Sequence, residues 1–183
     1  MPRHFAFLRA INVGGHTVRM VELRRHFAGL GLEEVETFIA SGNVIFSTQA
    51  RSSPALARRI ETALRDALGY EVATFLRSDR EVAAVARCRP FPTPRIQAAG
   101  AFVVGFLAAP PGPAAIRAIL GLRTDIDDFS VRGREVYWLC RTGQGQSTFS
   151  GNVFERAVGL RITLRSMTTL RRLAAAYGLL AGD

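Results

Sequence analysis

Arg89-Pro-Phe-Pro-Thr-Pro-Arg95 divides the chain, and what lies on either side of it reads the same way twice. Prolines at 90, 92 and 94 fix φ and remove three backbone donors. That predicts a linker or extended crossing rather than helix or sheet. Before it, residues 5–11 (Phe-Ala-Phe-Leu-Arg-Ala-Ile) read as a buried strand. Met20, Leu23, Phe27 and Leu30 recur at helical spacing and end at Gly29 and Gly31. Residues 35–39 and 44–47 are short β-rich runs around Ser41-Gly42-Asn43, the pattern of a hairpin. Leu56, Ile60 and Leu64 make a second helical stripe closed by Gly69. Residues 72–76 read as a strand, and Asp79 as the cap of a short helix carrying Val82 and Val85.

After the prolines the order returns. Residues 101–107 form a strand, and Pro113 opens a helix carrying Ile116, Ile119 and Leu120. Residues 129–131 and 135–140 are strands about Arg132-Gly133. Val153, Phe154, Ala157 and Val158 mark a helix, residues 161–164 a strand, and Leu170, Leu173, Ala174 and Tyr177 the last helix before Gly178. The predicted fold class is α+β: two tandem ferredoxin-like (split βαβ) subdomains, each βαββαβ plus a trailing helix. The predicted division is 1–88, a Pro-rich linker at 89–100, and 101–183. Leu76-Arg77-Ser78 and Leu164-Arg165-Ser166 fall at matching places and support a duplication. Ser41-Gly-Asn-Val44 and Ser150-Gly-Asn-Val153 do not match in place, one in a hairpin and one at a helix start, and read as coincidence.

Composition narrows the function classes. The chain has 183 residues, 48% of them hydrophobic, which suits a folded protein and excludes a disordered one. No apolar run approaches the ~20 residues that a membrane-spanning helix needs. No secretory leader is legible at the N-terminus, so a cytoplasmic protein is expected. Cys88 and Cys140 are too far apart in sequence for a CxxC site and are expected to be thiols in a reducing compartment. The net charge is +9, and all 24 basic residues are Arg, with no Lys. Selection for a phosphate-binding surface does not exclude Lys, so Arg-biased coding is the simpler explanation.

The polar residues that carry candidate chemistry are few. Asn12, Asn43 and Asn152 are the only asparagines, each within two positions of a glycine. Turns recruit Asn and Gly for backbone reasons alone. The 12–15 loop nevertheless leaves the end of the first strand, where Gly14 and Gly15 can turn N–H groups toward an anion. It matches neither a P-loop nor GxGxxG. Arg9 lies on that strand. Thr163, Arg165, Ser166, Thr168 and Thr169 form a second loop candidate, read either as an N-cap by Ser166 or Thr168 or as an anion seat at Arg165. His16, in the glycine loop, reads as a mobile surface side chain. The spacing of His4, His16 and His26 gives no zinc motif, and Asp125, Asp127 and Asp128 read as acidic loop residues before a strand, so no metal and no cofactor is expected. No nucleophile elbow occurs. Tyr137 and Trp138 are adjacent and face opposite sides of a sheet, one of them a candidate exposed aromatic. The RNA-binding aromatic signature is absent.

Phe7-Leu-Arg-Ala-Ile-Asn-Val-Gly-Gly15, Met20 with Leu23-Arg24, and Thr37-Phe-Ile-Ala-Ser-Gly-Asn-Val-Ile-Phe-Ser47 resemble the signature of a bacterial family, domain of unknown function 1697. Its members read L-R-G-I-N-V-G-G and T-Y-I-x-S-G-N-V-x-F at these places. Arg77-Ser78 and Pro90-Phe91 also fit, and the likeness fades toward the C-terminus. Ala10 stands where the family has Gly, and Ser166 and Met167 where it has Asn and Trp. The resemblance implies a fold and a set of loops, not a reaction.

The expected function is binding of a phosphate- or carboxylate-bearing small molecule. Its groove is expected to use Arg9, Asn12, Gly14, Gly15, Ser41, Gly42, Asn43, Thr163, Arg165 and Thr168. Whether the protein is an enzyme is left open. One alternative is nucleic-acid binding through an Arg-rich sheet face. Another is a structural or partner-binding protein that takes no ligand.

Overall fold

A computed structural model describes residues 1–12, 14–51 and 53–181. The chain forms two compact units, Met1–Val82 and Ala83–Asp183. The first contains strands β1 (Arg3–Leu8), β2 (Glu33–Thr37), β3 (Asn43–Ser47) and β4 (Thr74–Ser78), with helices α1 (Met20–Ala28) and α2 (Pro54–Leu68). Helix α3 (Asp79–Arg87) carries the chain from one unit into the other. The second contains α4 (Thr93–Ala98), β5 (Ala101–Phe106), α5 (Pro113–Leu120), β6 (Asp127–Arg132), β7 (Glu135–Cys140), α6 (Gly151–Val158), β8 (Thr163–Ser166) and α7 (Met167–Ala176).

Each unit has one four-stranded antiparallel sheet, ordered β2-β3-β1-β4 in the first and β6-β7-β5-β8 in the second. The order is the same in both, so the molecule is α+β with two tandem ferredoxin-like subdomains. In the first unit α1 and α2 bury Leu23, Phe27, Leu56, Ile60 and Leu64 against Ala6, Leu8, Val44, Phe46 and Leu76. In the second, Ile119 and Phe154 join Val103, Phe129, Val136 and Trp138. These strand positions alternate with a second set on the opposite face, and that set is buried too: Phe5, Phe7, Ile45, Phe75, Val104, Phe106 and Leu139. Burial on both faces explains why the strands read as continuous apolar runs.

Several sequence expectations need correction. β1 stops at Leu8, so Arg9 lies just past the strand. There the backbone bends: Ala10 takes a left-handed φ of 56°. Residues 93–98, expected to be extended, form α4, because Pro94 falls in the first helical turn, where a missing N–H breaks no bond. Asp79 is not the cap of α3. Ser78 is, through a reciprocal box: Glu81 N–H donates to Ser78 Oγ (3.3 Å) and Ser78 N–H donates to Glu81 Oε2 (2.9 Å). In the second unit Ser166, not Thr168, caps α7, accepting from Thr169 N–H at 3.1 Å. Asp127 and Asp128 belong to β6 rather than to the loop before it. Tyr137 and Trp138 are both buried, so neither is an exposed stacking platform. Cys88 is half-buried, Cys140 is buried, and both are free thiols. The two Ser-Gly-Asn-Val stretches do part ways: Ser41 lies in a turn, whereas Ser150 caps α6.

Candidate functional site

The end of the first sheet where β1 stops gathers two of the three predicted segments. Leu8 N–H donates to Gly42 O at 2.8 Å, so the 41–43 turn is tied to the end of β1. Gly42 has φ +71°, and a Cβ there would lie 2.8 Å from Ile11 Cγ2 and 3.2 Å from Leu8 Cβ. Both the backbone angle and the lack of space require glycine. Asn43 is buried, and its Nδ2 donates to Phe38 O (3.0 Å) and Ser41 Oγ (2.7 Å), which closes the turn. Its amide shapes the loop instead of presenting itself to solvent.

The first loop is pinned in a similar way. Arg9 N–H donates to Ala73 O at 2.9 Å, and Tyr70 Oη donates to Ile11 O at 3.0 Å. Asn12 Oδ1 accepts from Val18 N–H at 2.8 Å and fixes the entry to α1. His16, expected to be mobile, is exposed but stacks on Tyr70, with centroids 4.0 Å apart and planes at 26°. Gly14 and Gly15 are exposed and consecutive in the left-handed region, at φ 64° and 85°. Among the described residues their N–H groups and Asn12 Nδ2 have no protein acceptor. Ser41 is exposed, and Arg9 is half-buried.

The third segment lies in the second unit and is built differently. Arg165, on β8 opposite Val104, is only 9% exposed. Its Nη1 donates to Thr163 Oγ1 (2.9 Å) and Leu164 O (2.8 Å), and burial pushes its pKa down to about 10. Thr163 is buried, and Thr168 is exposed on the first turn of α7. Arg77 repeats the arrangement in the first unit: it lies opposite Phe5, is fully buried, and its Nη1 donates to Leu76 O at 2.8 Å. These two sheet arginines are therefore inside.

The sequence reading passed over His4. It falls in step with Ala6 and Leu8 on the core side of β1, is 4% exposed, and tilts against Phe46 at 5.7 Å. Neither ring nitrogen has a partner at hydrogen-bonding geometry. The strand alternation was the signal that could have found it. It also passed over two cavities beside β6, described below, which contain none of the predicted residues. No group of three or more His, Cys, Asp or Glu among the described residues could hold a metal ion. Nor is any described helix long and apolar enough to cross a membrane.

Two split-βαβ units, each with a four-stranded antiparallel sheet of the same order, define the class: an α+β protein of tandem ferredoxin-like subdomains. More particularly, the chain belongs to the family described as a protein of unknown function (DUF1697), whose model matches residues 1–137. That span includes the 9–15 and 41–43 segments and stops before Thr163. The fold is similar to that of a conserved bacterial protein from Streptococcus pneumoniae, at 22% sequence identity and a TM-score of 0.73. The likeness covers 97% of this chain and 99% of that one, and at such identity it speaks to fold alone. Among curated proteins, none matches this chain.

Proposed function

We propose that the protein binds a small anionic molecule at the end of the first sheet, between the 9–15 loop and the 41–43 turn. The observation that carries this reading is the cluster of exposed donors there. Gly14 and Gly15 N–H, Asn12 Nδ2 and the Ser41 hydroxyl are exposed on the loop and the turn that meet at the end of β1, next to the bend at residues 9 and 10. Neighbouring exposed N–H groups beside a guanidinium and a hydroxyl favour a carboxylate or phosphate oxygen. Gly42 and Asn43 support the wall rather than touch the ligand. Thr163 and Arg165 are bonded to each other and buried, so the reading rests on the first unit's residues. Free thiols at Cys88 and Cys140 fit a reducing cytoplasm.

A melting-temperature screen of nucleotides, sugar phosphates and dicarboxylates tests the reading, because a ligand bound to the folded state raises Tm. Arg9→Ala and Ser41→Ala should each remove most of that rise, and Ser41→Ala should also lower the unliganded Tm, because buried Asn43 Nδ2 loses an acceptor. A rise that survives both substitutions rules the site out. If none of the probes raises Tm at low salt, the reading fails as well, and the loops serve only as turns.

A further inference from the structure

β6 is an edge strand, and two adjoining cavities lie along it. One, of about 350 Å3, is lined by Arg95, Arg123 and Arg141 and by the carboxylates of Asp125, Asp127 and Asp128. The other, of about 530 Å3, is lined by Phe91, Ile116, Leu120 and Val131, and shares Arg95, Arg123 and Asp128 with the first. Three guanidiniums from α4, the α5–β6 loop and the end of β7 thus meet at one place.

Asp128 organises them. Its Oδ2 pairs with Arg95 Nη2 at 2.8 Å and its Oδ1 accepts from Arg123 Nε at 2.8 Å. Burial works to raise the Asp128 carboxyl, and the two guanidiniums overcome it and hold the group below the usual carboxylate range. Arg123 Nη2 donates to Phe129 O (3.0 Å), which also closes part of the strand edge. Arg141 Nη1 donates to the Asp125 backbone oxygen at 3.2 Å, and among the described residues it has no carboxylate partner. Among the described residues, Arg95 Nε and Nη1, Arg123 Nη1, and Arg141 Nε and Nη2 keep donors that no protein group takes.

We propose that these cavities bind a small organic phosphate, with the phosphoryl group among Arg95, Arg123 and Arg141 and the apolar body in the groove beside Phe91. A tetrahedral phosphate offers three oxygens to three guanidiniums, whereas a carboxylate offers two. The apolar wall gives the rest of such a molecule a place out of water. Asp125 and Asp127 also line the first cavity, and their charges oppose the anion; Asp127 is turned to Trp138, Ser147 and Thr124, which leaves Asp125 as the carboxylate whose removal the test uses. This site shares no residue with the loop cluster of the first unit.

The test is an amide NMR titration of the full chain at constant ionic strength with phenyl phosphate, inorganic phosphate and benzyl alcohol. Phenyl phosphate should shift amides of residues 123–132 and 141 and bind roughly tenfold more tightly than either partial probe. Arg141→Ala, at an exposed position that costs no core contact, should weaken phenyl phosphate roughly tenfold. Asp125→Asn should tighten it, and Arg156→Ala, on the exposed side of α6, should leave it unchanged, as should Arg9→Ala. The proposal is overturned if Arg141→Ala binds like the parent chain, if benzyl alcohol binds as well as phenyl phosphate, or if saturable shifts fall outside these residues.

Discussion

Ala10 holds a backbone angle that an L side chain resists. A left-handed φ costs an alanine roughly 1–2 kcal/mol, and only part of that is offset by the lower chain entropy of a residue that is not glycine. The resemblance to the family already marked this as a glycine position, and the observed φ of 56° supplies the physical reason. Ala10→Gly should therefore stabilise the protein, by roughly 0.5–1 kcal/mol in a urea unfolding series. His4 predicts a pH dependence. Its burial lowers the imidazole pKa, and the nearby Ala50 backbone and the Asp79 and Glu81 carboxylates only partly offset that. Below the ordinary value of 6.5 the unfolded chain takes up the proton before the folded one does. The stabilising contribution is thus full above that pH and is lost as pH falls toward the folded value. Unfolding midpoints measured between neutral and mildly acidic pH should fall more steeply for the parent chain than for His4→Phe.

At the scale of elements, turns and helix ends are legible because their residues act on their own backbone: Gly42 sits in the 41–43 turn and Gly69 closes α2. Caps are less so, since Ser53 and Ser78 cap α2 and α3 and neither stands out in the sequence. α4 is not legible from the number of prolines, because what decides is the helical position each one takes. The β6 cavities were not legible at all: Arg95, Arg123 and Arg141 share no motif, and only the sheet order brings them together. Asp127 belongs to the same lesson. Placed in a loop by the sequence reading, it is a buried strand carboxylate that accepts from Trp138 Nε1 (2.7 Å), Ser147 Oγ (2.9 Å) and Thr124 Oγ1 (2.9 Å). It anchors the 141–150 segment to the sheet. Asp127→Ala leaves the indole N–H buried without an acceptor and should cost about 3 kcal/mol. Trp138 is the chain's single tryptophan, so its fluorescence reports the loss directly.

For the whole molecule, the charge of +9 calls for a weak and unselective attraction to polyanions. Arg77 and Arg165 cannot take part, because both are buried. Single-stranded oligonucleotides should bind at low salt, show no sequence preference, and release on raising salt toward the physiological range. Retention at that salt, or a clear sequence preference, would contradict this. The duplication is visible in the order of elements, and the burial of both sheet faces in the continuous apolar runs of the strands.

In both halves the last strand runs into its helix without an intervening loop: Ser78 is followed at once by Asp79, and Ser166 by Met167. A residue's advance turns an α-helix by about 100°. Lengthening either junction by a single amino acid would swing Met167, Leu170 and Leu173, or Val82 and Val85, away from the interior they fill. These joints do not accept a change of length, and tags, labels or grafted sequences belong elsewhere in the chain.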